Sequence, residues 1–130
     1  MLPYRILIVD DDPRLVHVVS MYLTIEGFEV DTATDGEDAL RRIEANLPDV
    51  VVLDVMMSGM DGLEACRRIK RNPRTAHLPV ILFTALSRDE DVRDGRAAGA
   101  DQFINKPFSL VGLGDVIRSF IRGADIPAAV

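Results

Sequence analysis

The residues of this chain best suited to chemistry are three carboxylates and one lysine, which lie at the C-terminal ends of short apolar runs. They are Asp10 and Asp11, Asp54, and Lys106. Carboxylates beside buried strands are costly unless a cation compensates their charge. Their oxygens suit a hard divalent cation, and an ammonium group pairs well with phosphate oxygens. If the apolar runs lie side by side, the sequence predicts one site for a divalent metal and a phosphoryl group.

Short apolar runs alternate with helical patterns along the chain, which indicates repeated strand and helix units around a parallel sheet. We expect strands at residues 5–10, 28–33, 50–54, 80–84 and 102–105. The first, third and fourth are almost continuously apolar, as strands covered on both faces are. The second carries the polar residues Glu29, Asp31 and Thr32, which suits an edge position.

Helix signals fill the gaps between these strands. The expected first residues or caps are Asp12 with Pro13, Asp35, Asp61, Ser87 with Glu90, and Ser109, while Gly27 and Gly99 end the first and fourth helices. Right-handed crossovers then place the C-terminal ends of all strands at one edge of the sheet. Thr84 ends the fourth strand and would join the carboxylates and Lys106 there.

Length and composition set the outer bounds of the interpretation. A chain of 130 residues, 48% hydrophobic and 28% charged, predicts a single globular domain. Its net charge of −6 argues against sequence-independent binding of nucleic acid. The sequence shows neither a secretory signal nor an apolar run long enough to span a membrane, so we expect a cytoplasmic protein. The one cysteine, Cys66, falls on the apolar face of the third helix and is predicted to be a core thiol.

Four segments, in order, resemble the receiver domain of two-component response regulators. They are ILIVDDDP at 6–13, VVLDVMMSGMDG at 51–62, FTA at 83–85 and GADQFINKPF at 99–108. The resemblance covers residues 4–122 and leaves 123–130 as a C-terminal tail or the start of a linker. It implies an α/β fold, a doubly wound, flavodoxin-like (βα)5 arrangement with a five-stranded parallel sheet in the order 2-1-3-4-5.

The resemblance also implies a role for each site residue. Asp54 would be the phosphoacceptor, and Mg²⁺ would be held by Asp11, Asp54 and the main-chain carbonyl of Met56, with Asp10 acting through a metal-bound water. Lys106 would pair with Asp54 or a phosphoryl oxygen, and its peptide bond to Pro107 would be cis. Thr84 would donate a hydrogen bond to another phosphoryl oxygen.

A switch and a set of partners follow from the same resemblance. Thr84 would move inward on phosphorylation, Phe103 would follow it, and the surface of the fourth helix, fifth strand and fifth helix would change. A histidine kinase or histidine phosphotransfer protein would donate the phosphoryl group, and a downstream protein or domain would read the surface. The resemblance allows a weak homodimer, and it implies no membrane contact, no direct nucleic-acid binding and no turnover of an external substrate.

Two departures from the usual family pattern concern the approach to the phosphoacceptor. Ser58 stands where a proline is common, which should loosen the loop before Asp61. Met56 and Leu86 place apolar side chains two residues beyond Asp54 and Thr84. Because such side chains cannot orient an attacking water, we expect slow self-catalysed dephosphorylation.

Three alternatives compete with this interpretation. A receiver used only for docking, without phosphorylation, stays open. A haloacid-dehalogenase-type phosphatase also uses an aspartate after an apolar strand, but it needs a second aspartate where this chain has Met56. A flavodoxin needs a phosphate-binding loop after the first strand, where Asp10, Asp11 and Asp12 would repel a flavin phosphate.

Overall fold

The computed structural model describes residues 3–57, 59–84 and 89–122. Its strands are β1 (Arg5–Val9), β2 (Glu29–Ala33), β3 (Val50–Asp54), β4 (Val80–Thr84) and β5 (Gln102–Asn105). All neighbouring strands are parallel, and their order in the sheet is β2-β1-β3-β4-β5. The predicted fold class and strand order are confirmed, with β2 and β5 at the edges.

Two strand boundaries differ by one residue from the prediction, and each has a local cause. β1 ends at Val9 because the carboxylate of Asp10 accepts a hydrogen bond from the amide of Asp12, at 2.9 Å, and turns the chain. β2 begins at Glu29 because the amide of Phe28 donates to the carbonyl of Leu23, at 3.0 Å, and so closes the preceding helix.

The helices are α1 (Pro13–Ile25), α2 (Gly36–Ala45), α3 (Gly62–Arg71), α4 (Asp89–Ala98) and α5 (Leu110–Arg122). Four predicted caps are confirmed, since a side-chain oxygen of Asp12, Asp35, Asp61 and Ser109 each accepts a first-turn amide. Gly27 and Gly99 have φ of 99°, as expected at the ends of α1 and α4. The predicted cap Ser87 lies outside the described residues. No helix in the described ranges combines the length and the apolar character that a membrane crossing requires.

Helices cover both faces of the sheet, so alternate strand residues enter two separate cores. One core joins β-strand residues such as Leu7, Leu53 and Leu82 to α2, α3 and α4. The other joins residues such as Ile8 and Phe83 to α1 and α5. This double coverage explains why β1, β3 and β4 are continuously apolar.

Cys66 belongs to the first of these cores, as predicted. It is fully buried, and its thiol lies 3.5 Å from the carbonyl oxygen of Ala98. Burial raises the pKa of the Cys66 thiol to about 11. The thiol is therefore protonated at neutral pH and poorly reactive.

Candidate functional site

Three carboxylates converge at the C-terminal edge of the sheet. Asp10 and Asp11 follow β1, Asp54 ends β3, and one carboxylate oxygen from each lies within 4.8 Å of the other two. Asp10 and Asp54 are buried, with 1% and 5% of their surface exposed, whereas Asp11 is exposed. Octahedral Mg²⁺ binds oxygen ligands at about 2.1 Å, so two ligand oxygens lie roughly 3 to 4 Å apart. The donor set and its spacing fit such an ion after small shifts.

The three consecutive aspartates have different roles, some at the site and one at the start of the first helix. The carboxylate of Asp12 accepts the amide of Arg14 at 3.0 Å and caps α1. Asp10 accepts the amide of Asp12 at 2.9 Å, which fixes the turn between β1 and α1. Asp12 is thus an N-cap, as predicted, and Asp10 and Asp11 are the two members that face Asp54.

Lys106 follows β5 and supplies the positive charge of the cluster. Its Nζ lies 2.8 Å from Oδ2 of Asp10 and 3.4 Å from Oδ1 of Asp54. The Lys106 amide donates to the carbonyl of Thr84 at 2.8 Å, and the peptide bond to Pro107 is cis, as the resemblance implied. The ammonium group therefore bridges two buried carboxylates that would otherwise repel each other.

The electrostatics of the cluster change the protonation of two groups. Burial raises the pKa of Asp54 to about 6, the charge of Asp10 adds to the rise, and Lys106 opposes it. For Lys106, burial disfavours the charged form, but its hydrogen bond to Asp10 and the charge of Asp54 prevail and raise the pKa of the ammonium. Lys106 is thus charged at neutral pH, and a cation beside Asp54 would favour its carboxylate form further.

A cavity of about 140 Å³ adjoins the acidic cluster. Thr84, which is 3% exposed, lines it together with Val55, Met56 and Phe103. The amide of Met56 lies 3.4 Å from Oδ1 of Asp54, so its main chain is beside the predicted phosphoacceptor, while its side chain is 62% exposed. Leu86 and Ser58 lie outside the described residues.

Phe103 borders this cavity and not the acidic cluster. It is half-buried and packs against the core formed with α2, α3 and α4. Its ring lies directly against α4, because a Cβ built on Gly95 would be 2.3 Å from Cε1 of the ring. The site residues predicted from sequence therefore form two groups. The first contains the carboxylates and Lys106, and the second contains Thr84 and Phe103, which line the cavity.

Sequence reasoning missed three glycines that make close contacts around the site: Gly36, Gly62 and Gly95. A Cβ on Gly62 would be 2.1 Å from the carbonyl oxygen of Asp54, and one on Gly36 would be 2.8 Å from that of Met60. A usable signal was present, since Gly36 and Gly62 each follow a capping aspartate at the first position of a helix. Glycine lowers helix propensity there, so it indicates a close backbone approach.

Comparison with known proteins agrees with this geometry. The family profile described as "Response regulator receiver domain" matches residues 6–118. Response regulator PleD of Caulobacter vibrioides (strain NA1000 / CB15N) is 46% identical over 118 residues, which are 91% of this chain and 26% of PleD. The phosphate regulon transcriptional regulatory protein PhoB of Rhizobium meliloti (strain 1021) is 40% identical over 124 residues, 95% of this chain and 54% of PhoB. The chain therefore spans only part of the length of either relative.

The fold comparison extends to solved structures. The chemotaxis protein CheY4 of Vibrio cholerae has a TM-score of 0.87 at 30% identity, with 91% of this chain and 98% of CheY4 covered. Receiver domains act in phosphorylation-based signalling, interact with histidine kinases and output domains, and bind Mg²⁺ in an acidic pocket. They are in general signalling domains and not enzymes that turn over a substrate. By sequence and by structure, this chain belongs to the response regulator receiver domains of two-component systems.

Proposed function

We propose that this chain is a phosphorylation-controlled switch whose phosphoacceptor is Asp54. The observation that carries the proposal is the position of the Asp54 carboxylate, within 4.8 Å of oxygens of Asp10 and Asp11 and 3.4 Å from Nζ of Lys106. A carboxylate oxygen of Asp54 attacks the phosphorus of a phosphohistidine. The new O–P bond forms as the P–N bond breaks, and the histidine leaves with the bonding electron pair.

The residues that would hold Mg²⁺ are Asp11, Asp54 and the main-chain carbonyl of Met56, with Asp10 acting through a water. Bound there, the ion would neutralise the negative charge that a carboxylate and a phosphoryl group bring together. The Asp10, Asp11 and Asp54 oxygens support this assignment by their spacing, and the Met56 amide, 3.4 Å from Asp54, supports it by placing that main chain at the site.

Lys106 and Thr84 would stabilise the phosphorylated state. In the structure, Lys106 is paired with Asp10 and Asp54, so its ammonium already lies beside the carboxylate that would receive the phosphoryl group. We expect it to pair with a phosphoryl oxygen once Asp54 is modified. Thr84 ends the neighbouring strand and borders the adjoining cavity, and its hydroxyl would donate to a second phosphoryl oxygen.

The switch would pass from Thr84 to Phe103 through the cavity that both side chains line. Movement of Thr84 toward the phosphoryl group changes the space beside the Phe103 ring, which contacts α4 at Gly95. The surface of α4, β5 and α5 would change as a result. Phe103 has no hydroxyl to hold it toward solvent, so its inward position costs less than that of a tyrosine.

The partners of this switch would be a histidine kinase or histidine phosphotransfer protein on the input side and an output protein or domain on the other. We assign the reaction to the cytoplasm, where ATP is available to charge a kinase. The acidic net charge of −6 argues against direct contact with nucleic acid by this chain. Weak homodimerisation through α4 and α5 is a further expectation, and the chain would turn over no external substrate.

Intact mass after incubation with acetyl phosphate and Mg²⁺ tests the proposal. The parent should gain one phosphoryl group, and Asp54→Asn should gain none. Asp12→Asn is the matched control, because it removes a neighbouring charge while asparagine still caps α1. It should be phosphorylated like the parent. A folded, Mg²⁺-binding parent that gains no phosphoryl group would instead favour a docking receiver.

The lifetime of the phosphoryl group is a separate expectation. Met56 flanks the phosphoacceptor with an apolar side chain that is 62% exposed, so it would hinder the approach of an attacking water. Met56→Ala should shorten the phosphoryl half-life severalfold, whereas Met21→Ala, at a 52% exposed methionine of α1, should leave it unchanged. The phosphoryl half-lives are measured from intact mass over time. Equal half-lives in all three proteins would contradict the role of Met56.

A further inference from the structure

The connection between β3 and α3, which the structure describes at residues 55–57 and 59–61, carries the Met56 main chain that the proposed metal site uses. The amide of Met56 lies 3.4 Å from Oδ1 of Asp54. Its side chain is 62% exposed, so little packing of that side chain fixes its position. The placement of the Met56 carbonyl therefore depends on how the two ends of the loop backbone are held.

The near end of the loop is held by the sheet and by α3. The amide of Val55 donates to the carbonyl of Phe83 at 3.0 Å, which continues the pairing of β3 with β4. The amide of Gly62 donates to the carbonyl of Val55 at 3.1 Å. Because a Cβ on Gly62 would be 2.1 Å from the carbonyl oxygen of Asp54, only glycine lets α3 begin at this point.

The far end of the loop is held by α2, a helix outside the acidic cluster. The amide of Gly36 lies 3.3 Å from the carbonyl oxygen of Met60. A Cβ on Gly36 would be 2.8 Å from that oxygen, 2.9 Å from Cγ of Met60 and 3.0 Å from its Cβ. The Cγ of Met60 can rotate away, but its Cβ and its carbonyl oxygen are fixed by the backbone. A larger residue at 36 would therefore displace the loop itself.

The helix α2 gives no reason of its own for glycine at this position. Asp35 already caps α2 by accepting the amide of Asp38 at 2.8 Å. Glycine forms helices less readily than alanine, at a cost of about 1 kcal/mol in a helix interior. The close contact with Met60 explains why glycine occupies this position despite its lower helix propensity.

We propose that Gly36 is a positioning residue for the metal site: by admitting the Met60 carbonyl against the start of α2, it holds the β3–α3 loop so that Met56 stays beside Asp54. This inference rests on the proposed Mg²⁺ site. It assigns to α2 a part in metal binding that α2 performs without contributing a ligand. Residues that orient a ligand in this way typically change metal affinity by about 10-fold to 100-fold when altered.

The test compares the dissociation constant for Mg²⁺, measured by calorimetry, in the parent, Gly36→Ala and Gly112→Ala. Gly112 is the matched control, since it lies in the first turn of α5 and its new Cβ would be 3.5 Å from the nearest atom, an ordinary contact. Gly36→Ala should weaken Mg²⁺ binding by about tenfold. Gly112→Ala should bind Mg²⁺ as the parent does. The rise in Tm on adding Mg²⁺ should shrink in Gly36→Ala alone.

The outcomes separate the inference from the proposed function. A parent that binds no Mg²⁺ would overturn the proposed site, and this inference with it. A parent that binds Mg²⁺ while Gly36→Ala binds it equally well, even if its Tm falls with and without the ion, would overturn the inference alone. Such a result would make Gly36 a packing residue.

Amide hydrogen exchange in the unmodified protein provides a second test that does not depend on a variant folding. If the contact between Gly36 and Met60 favours metal binding, then metal binding must favour the contact to the same extent. Saturating Mg²⁺ should therefore slow exchange of the Gly36 amide, while exchange of the Gly112 amide stays unchanged. An unchanged exchange rate at Gly36 would overturn the proposal.

Discussion

At the scale of single residues, the site depends on the balance between buried carboxylates and Lys106. Asp10 and Asp54 are both nearly inaccessible to solvent, and the ammonium of Lys106 contacts each of them. The pKa of Asp54 is about 6, well above the ordinary value of 3.8, because burial and the charge of Asp10 outweigh Lys106. Without metal, the ionised form of Asp54 is therefore disfavoured in the folded protein. Either a proton or a cation can relieve this penalty.

The raised pKa of Asp54 predicts a pH-dependent loss of stability in EDTA. Between pH 3.8 and about 6 the folded protein holds a proton that the unfolded chain has released, so this contribution is present at low pH and is lost as the pH rises through about 6. Asp54→Asn cannot titrate there. The free energy of unfolding of the parent, measured in urea, should therefore fall relative to the variant over that range. A constant difference would contradict the assignment.

Replacement of Lys106 should leave the repulsion between the Asp10 and Asp54 carboxylates uncompensated. Lys106→Met leaves Asp10 and Asp54 buried without their ammonium partner, so we expect a loss of about 1–3 kcal/mol in the free energy of unfolding at neutral pH in EDTA. Added Mg²⁺ should recover part of the loss. Arg14→Met, at an exposed position of α1, is the control and should cost much less. An equal loss with and without Mg²⁺ would argue against a shared electrostatic site.

At the scale of elements, α4 and β5 are in close contact beside the cavity. The Phe103 ring occupies the space that a side chain at Gly95 would need, and Leu82 of β4 lies close by, with its Cδ1 3.1 Å from the point that a Cβ of residue 95 would occupy. The helix and the edge strand can approach this closely only because residue 95 has no Cβ. Their separation is thus set by one glycine and one aromatic ring.

Gly95→Ala should therefore force α4 and β5 apart. A Cβ at 2.3 Å from Cε1 of Phe103 overpacks the contact, which typically costs about 1–3 kcal/mol. Combining it with Phe103→Leu should cost less than the sum of the two single changes, because the smaller side chain makes room. Thermal unfolding of the four proteins measures this coupling. Strict additivity would show that the ring does not contact residue 95.

At the scale of the whole molecule, the strand order decides which parts are most protected. β1, β3 and β4 are paired on both sides and covered on both faces, whereas β2 and β5 pair on one side only. The amides most shielded from local opening should therefore lie in β1, β3 and β4. The two cores share no face of the sheet, so each helix layer packs on the strands independently.

Hydrogen exchange should reveal this arrangement as a gradient across the sheet. Amides of residues 6–9, 51–53 and 81–83 should exchange most slowly, near the rate of global unfolding, and those of β2 and β5 should exchange faster. The exchange rates are measured by NMR in EDTA. Faster exchange in β1 than in β2 would contradict the strand order.

Much of this architecture could be predicted from the sequence because its signals are local or follow from topology. Apolar runs ended by Asp54 and Thr84 marked the strands, and Asp12, Asp35 and Asp61 indicated the helices through their capping chemistry. Convergence of the carboxylates then followed from parallel strands. The pKa of Asp54 could not be predicted in the same way, since it depends on burial and on the distances to Asp10 and Lys106.

The partners of the close glycine contacts were equally beyond sequence reasoning. Gly36 and Met60, or Gly95 and Phe103, are separated in the chain, and their contact depends on how closely two elements approach. A periodic pattern predicts that a helix covers a sheet but not the distance at which it does so. A glycine after a capping aspartate can indicate a close approach, but only the assembled structure shows which residue makes it.

Neighbouring residues of β5 belong to different cores, and this has a consequence for recognition. Phe103 packs with the layer that contains α4, while Ile104 packs with the layer that contains α5. A protein that binds α4, β5 and α5 together would therefore contact both layers, and its affinity would depend on any displacement of one layer relative to the other. A protein that binds α2 and α3 contacts a single layer and has no such dependence. Selective binding of one displacement would shift the population of conformers toward it.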